Sequence, residues 1–162
     1  MSRPPADFPR LLGALAEGGV EFILVGGLAA VAHGAPRATY DVDVVYSREG
    51  RNLERLAAAL APANPYMREA PPGLPFHLDA ATLRQGMNFT LTTDWGDIDL
   101  LGEIPGGGDW RSLVPHTIGL TLFGSACRCL DLPTLIRTKR AAGRPRDLEV
   151  LAMLESLRAG GT

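Results

Sequence analysis

The residues of this chain best suited to chemistry are four aspartates in two short apolar stretches. Asp41 and Asp43 alternate with Val42, Val44 and Val45, and Asp97 and Asp99 alternate with Ile98 and Leu100. On a β-strand, residues i and i+2 point to the same face, so each acidic pair projects together while the aliphatic residues face the other side. Carboxylates held side by side repel, and one takes up a proton unless a cation sits between them. Mg²⁺ or Mn²⁺, which take oxygen ligands, meet that need. If the two acidic strands lie close together, a third carboxylate completes a site for two ions about 3.5–4 Å apart, the kind that clamps the attacking and leaving oxygens of a phosphoryl transfer. A second feature lies upstream: Gly26-Gly27 follows the apolar run Phe22–Val25 at once and opens a helix. Backbone N–H groups at such a turn can cradle phosphate, helped by the helix dipole. The pair is not a dinucleotide fingerprint or a Walker A loop, because neither glycine pattern follows the strand.

These residues need elements to hold them, and the apolar pattern supplies candidates. Asp7 caps a first helix carrying Phe8, Leu11, Leu12 and Leu15 at helical spacing, and Gly18-Gly19 ends it. Residues 22–25 read as a buried strand, 28–32 as a small-residue helix, and 42–45 as the first acidic strand. Residues 52–60 form a helix, and the proline-rich stretch 61–75 reads mostly as loop. Residues 87–93 and 97–101 form a hairpin about Asp94-Trp95-Gly96, and 105–108 is a flexible loop. Two further strands, 117–122 and 126–130, surround Gly124. Helices at 132–142 and 145–158 finish the chain, with Pro145 in the first turn of the second. The expected architecture is a mixed α/β (α+β) domain: a small central sheet flanked by helices, with two helices at the C-terminus.

Composition narrows the function classes. The chain has 162 residues, so 1–162 is expected to form one domain, long enough for a core without disulfide staples. The formal charge of −2 argues against a coat for non-specific nucleic-acid binding. No run is long and apolar enough for a membrane span, charged residues interrupt any signal-peptide core at the N-terminus, and Cys127-Arg128-Cys129 is no disulfide framework. A cytoplasmic protein without membrane association is expected. The basic residues are almost all arginine, and Lys139 is the single lysine.

Val25-Gly26-Gly27, thirteen intervening residues, then Asp41-Val42-Asp43-Val44 resembles the signature of the nucleotidyltransferase superfamily that includes DNA polymerase β. Arg37-Ala38-Thr39, Gly96-Asp97-Ile98-Asp99-Leu100-Leu101, and the tail from Leu135 to Lys139 with Gly143 to Leu148 add further matches. Together they resemble the small bacterial nucleotidyltransferases related to abortive-infection (AbiEii-like) toxins, over residues 8–157. The resemblance implies a nucleotidyltransferase-like sheet and transfer of a nucleoside monophosphate from a nucleoside triphosphate to an acceptor hydroxyl, with pyrophosphate leaving. It implies that Asp41 and Asp43 bind Mg²⁺ or Mn²⁺, and that Gly26 and Gly27 approach the phosphates of ATP or another triphosphate. It also implies a third acid that binds metal and deprotonates the acceptor: Asp99 is the choice, and Asp97, on the same face, the fallback. The implied acceptor is an RNA end such as that of a tRNA, a protein hydroxyl or a small molecule, and a toxin would bring an antitoxin partner. A non-catalytic nucleotide-binding module, or a partner-dependent pseudoenzyme of the same fold, is the alternative. Many relatives carry Ser where Gly27 stands, so here only a backbone N–H is offered.

Several residues carry two readings. Lys139, on the Leu132, Leu135, Ile136 stripe, either reaches the triphosphate or pairs with Asp147 to join two helices. Arg37 touches phosphate or acceptor, or is a surface arginine. Thr39 hydrogen-bonds near the metal site, or simply enters a strand. Arg137, Arg140, Arg144 and Arg146 grip an RNA backbone or line a solvated helix face. Trp95 and Trp110 stack a base or cover the core. His33 reads as a helix-end residue, and the cysteines as core or edge thiols.

Overall fold

The apolar runs become the strands of one mixed sheet. The computed structural model describes residues 4–160. In chain order they form α1 (Phe8–Glu17), β1 (Phe22–Val25), α2 (Gly26–Ala32), β2 (Val42–Tyr46), α3 (Gly50–Leu60), β3 (Tyr66–Met67), α4 (Ala80–Gln85), β4 (Phe89–Thr93) and β5 (Gly96–Leu101). A small pair follows, β6 (Glu103–Ile104) and β7 (Gly108–Asp109), then α5 (Trp110–Leu113), β8 (Thr117–Leu122), β9 (Ser125–Leu130), α6 (Leu132–Ala142) and α7 (Pro145–Gly160). Seven strands share a sheet in the order β3-β4-β5-β2-β1-β9-β8, and β6 and β7 pair separately.

The register explains why the acids can meet. β2 and β5 run parallel with Asp43 opposite Asp99 and Val44 opposite Leu100. β1 pairs antiparallel with β2, placing Val25 opposite Asp43. All four residues of β1 are buried, as expected for a strand covered on both faces. Val42, Val44, Ile98 and Leu100 are fully buried and join Leu11, Leu12 and Leu15 of α1 and Leu53, Leu56 and Leu60 of α3 in one core. Burying each such side chain contributes about 1.5–3 kcal/mol, and this fixes the register that turns the acids the other way.

Local signals set the helix ends. Asp7 caps α1 by accepting a hydrogen bond from Arg10 N at 3.1 Å, and Asp131 caps α6 through Thr134 N at 2.9 Å. Gly143, at φ 65°, closes α6 in the left-handed region. Three expectations shift. α2 begins at Gly26, so the glycine pair forms its first turn. The stretch 61–75 contains β3, whose two residues are held by the ladder to β4 rather than by any pattern of their own. Of the expected loop 105–108, residues 105–107 are the tight connection between β6 and β7, and Gly108 opens β7. α4, capped by Asp79 through Thr82 N at 2.7 Å, is an element the apolar pattern did not suggest.

Candidate active site

A pocket of about 480 Å³ opens where the C-terminal end of β1 meets the start of β2, beside Asp99 of β5. Gly26, Gly27, Arg37, Thr39, Asp41, Asp43, Asp99 and Lys139 all line it. The structure thus brings these eight residues together around one cavity. Asp97 is not part of this lining.

One carboxylate oxygen from each of Asp41, Asp43 and Asp99 lies within 4.8 Å of the others. A donor set of oxygens alone suits Mg²⁺ or Mn²⁺, so these residues fit a divalent ion. Burial, and then the charge and hydrogen bonding of neighbouring Asp99, push the Asp43 carboxyl up to about 7. The negative charge of Asp41 adds to this and Lys139 works against it.

The backbone makes room for that carboxylate. Gly26 sits at φ +70°, and a Cβ there would lie 2.1 Å from Asp43 Oδ2. Only glycine combines that conformation with so close an approach. A Cβ on Gly27 would lie 2.6 Å from Thr39 Oγ1. The Thr39 hydroxyl therefore fills the space a serine at position 27 would need.

The opposite wall is basic. Lys139, Arg144 and Arg146 line the pocket together with Asp147. Asp147 is 1% exposed and ties two of them down. Lys139 Nζ lies 3.2 Å from its Oδ1, and Arg144 Nε 2.6 Å from its Oδ2. Burial alone would raise the Asp147 carboxyl, but the hydrogen bonds and charges of Arg144 and Lys139 outweigh it and hold the group below the usual range. Both readings of Lys139 thus hold geometrically: it pairs with Asp147 and it faces the pocket.

Compared with solved structures, the chain is similar to the lincosamide antibiotic adenylyltransferase LnuA with lincomycin bound. The identity is 10%, over 93% of this chain and 96% of that one, with a TM-score of 0.61. It is also similar to ANT(2'')-Ia in complex with adenylyl-2''-tobramycin, at 17% identity over 94% and 93% of the two chains, TM-score 0.55. An antigenic nucleotidyltransferase-like protein from Paracoccidioides brasiliensis matches at 14% identity over 96% and 79%, TM-score 0.56. The chain has the nucleotidyltransferase fold. No family model matches it, and no curated protein does.

One residue of this nucleotidyltransferase fold lies beyond what the spacing of the acids suggests. Arg68, just after β3, reaches along the sheet to three aspartates. Its Nη2 donates to Asp99 Oδ1 at 2.8 Å, its Nε lies 3.3 Å from Asp97 Oδ2, and its Nη1 lies 3.9 Å from Asp41 Oδ2. Its only cue in the sequence is an arginine in a proline-rich stretch. Arg144 read as part of a basic segment that grips RNA or lines a solvated helix face, and only the fold turns it to the pocket.

The remaining candidates fall elsewhere. Arg140 pairs with Glu155, and Arg137 Nε donates to Gly106 O at 3.0 Å. Trp95 packs on the core beneath Arg10, and Trp110 also packs on the core. His33 ends α2, with Nε2 2.7 Å from Leu130 O. Burial pushes the Cys129 thiol up to about 12 and raises Cys127 as well, so neither is a ready nucleophile. Among the described residues no helix is long and apolar enough to cross a membrane.

Proposed function

We propose that the chain is a metal-dependent nucleotidyltransferase that moves a nucleoside monophosphate from a nucleoside triphosphate to an acceptor hydroxyl. The observation that carries this reading is the convergence of Asp41, Asp43 and Asp99 within 4.8 Å, facing a basic wall across one pocket. Asp41, Asp43 and Asp99 would hold Mg²⁺ or Mn²⁺, which neutralises charge on the phosphates and on the leaving pyrophosphate. Gly26 and Gly27 let the backbone approach the phosphates, and Thr39 offers a hydroxyl beside them. Lys139 and Arg144, anchored by Asp147, set positive charge where the triphosphate lies, and Arg37 adds to it. Asp99 takes the proton of the acceptor hydroxyl as that oxygen bonds to the α-phosphorus and the bond to the bridging oxygen breaks. The work is positioning and charge neutralisation, as phosphoryl chemistry requires.

For the acceptor, the small-molecule hydroxyl is best supported. LnuA is a lincosamide antibiotic adenylyltransferase and ANT(2'')-Ia an antibiotic-resistance factor, and both share this fold over nearly the whole of each chain. A cavity of about 480 Å³ is also of small-molecule size. The RNA end, the protein hydroxyl and the antitoxin partner have no comparable support.

The test is transfer of label from each α-labelled nucleoside triphosphate, with Mg²⁺ or Mn²⁺, to lincosamides, aminoglycosides, total RNA and total protein. An Asp41→Ala/Asp43→Ala double variant is the control. Label on a small molecule, lost in the control, is the expected result. Label on RNA or protein would replace the acceptor assignment. Triphosphate binding without transfer would favour the non-catalytic module, and neither binding nor transfer would remove the site.

A further inference from the structure

Arg68 is the strongest feature the proposed reaction does not use. Its backbone is fixed on both sides. Its N donates to Thr90 O at 2.9 Å, and the chain turns at once beyond it, with Ala70 N donating to Met67 O at 3.3 Å and Glu69 at φ +70°. Thr90 faces Asp99 in the β4–β5 ladder, so the Arg68 side chain reaches Asp99 across β4. A single nitrogen makes the two contacts that fix the side chain. Nη2 donates to Leu91 O at 2.7 Å and to Asp99 Oδ1 at 2.8 Å. That nitrogen carries two hydrogens, one for each contact, and the planar guanidinium cannot turn without losing its backbone anchor. The side chain is mostly buried, at 15% exposed.

We propose that Arg68 is a positioning residue that aims the Asp99 carboxylate into the acidic cluster, and that it acts through its fork rather than its charge. Among the described residues, Arg68 is the cation that hydrogen-bonds Asp99. Lys139 and Arg144 put positive charge across the same pocket, but both are hydrogen-bonded to Asp147. The contacts of Arg68 to Asp97 and Asp41 are longer, at 3.3 and 3.9 Å, and those acids have other partners. Repulsion from Asp41 and Asp43, whose carboxylate oxygens come within 4.8 Å, would otherwise turn Asp99 out of the cluster. Arg68 ties Asp99 Oδ1 to the backbone of β4 and so sets the plane of the carboxylate.

This role rests on reading Asp41, Asp43 and Asp99 as the divalent-ion site of the proposed transferase, and the test separates the two. Affinity for Mn²⁺ alone is measured by electron paramagnetic resonance titration, with circular dichroism as the check on folding. Replacing a group that orients a metal-binding side chain weakens affinity about 10–100-fold. Arg68→Lys keeps the charge and loses the fork. It should weaken Mn²⁺ binding at least about tenfold and alter the line shape of the bound ion. In an Asp99→Ala background the same replacement should change affinity by less than about twofold, because the carboxylate it aims is gone. If Arg68→Lys fails to fold, Arg68→Gln takes its place: weaker binding is again expected, and tighter binding would show that charge alone counts. Wild-type affinity in Arg68→Lys, or the same loss with and without Asp99, would overturn the role of Arg68 and leave the function standing. No Mn²⁺ bound by the wild type would overturn both.

Discussion

Replacing Asp43 by Asn should stabilise the protein while it destroys the site. The Asp43 carboxyl stands at about 7 in the fold against 3.8 in the unfolded chain. The displacement is upward, so between about pH 4 and 7 the fold keeps a proton that the unfolded chain has released. Stability therefore falls as pH rises through that window and stays low above it. Each tenfold change in proton affinity is worth about 1.36 kcal/mol, which sets a ceiling of about 4 kcal/mol above pH 7. Water at the open side of the pocket screens part of it, so we expect Asp43→Asn to gain about 2 kcal/mol at pH 7.5. For a chain of this size that raises Tm by about 4–8 °C. The gain should shrink below about 1 kcal/mol at pH 5 and vanish below pH 4. The assay is thermal unfolding of both proteins across pH without divalent ions, then with Mn²⁺. Mn²⁺ should raise the Tm of the wild type alone. A variant equal to or less stable than the wild type at pH 7.5, or a difference that ignores pH, would refute the argument that burial and neighbouring carboxylates strain Asp43.

Other perturbations follow from the same contacts. Gly26→Ala drives a Cβ onto Asp43 and forces φ +70° on a residue that resists it. It should cost about 1–2 kcal/mol in a denaturant titration and abolish Mn²⁺ binding. Gly27→Ser collides with the Thr39 hydroxyl; it should weaken triphosphate binding in a calorimetric titration, and adding Thr39→Ala should restore it. Asp147→Ala removes the buried partner of Lys139 and Arg144 and should cost about 2–4 kcal/mol by chemical unfolding. Steady-state kinetics of that variant should show a raised KM for the triphosphate.

How much of this was legible in the sequence depends on whether the signal was local. The acidic strands carry their own alternation, so Asp41, Asp43 and Asp99 could be placed on faces without any partner strand. Asp7 and Gly143 mark helix ends by chemistry confined to a few residues. The choice between Asp97 and Asp99 was not local. It follows from the parallel register that sets Asp99 beside Asp43, which no spacing within β5 reveals. Arg68 was hidden for the same reason. Two residues of β3 between prolines carry no periodicity, and the contact depends on a ladder to β4 across 23 residues of chain. Lys139 and Asp147 could be paired by helical spacing, whereas the inward turn of Arg144 depends on how α7 sits on α6.

The register that sets Asp99 opposite Asp43 also bears on how the molecule guards against faulty assembly. Slipping β5 by one residue would turn Asp97 and Asp99 into the core and expel Ile98 and Leu100, both fully buried now. The forces that reject such a slip are those of the interior, and they act before any substrate is met. A misassembled chain would therefore lack the acidic cluster altogether, and selection for a sound interior is at the same time proofreading of that cluster.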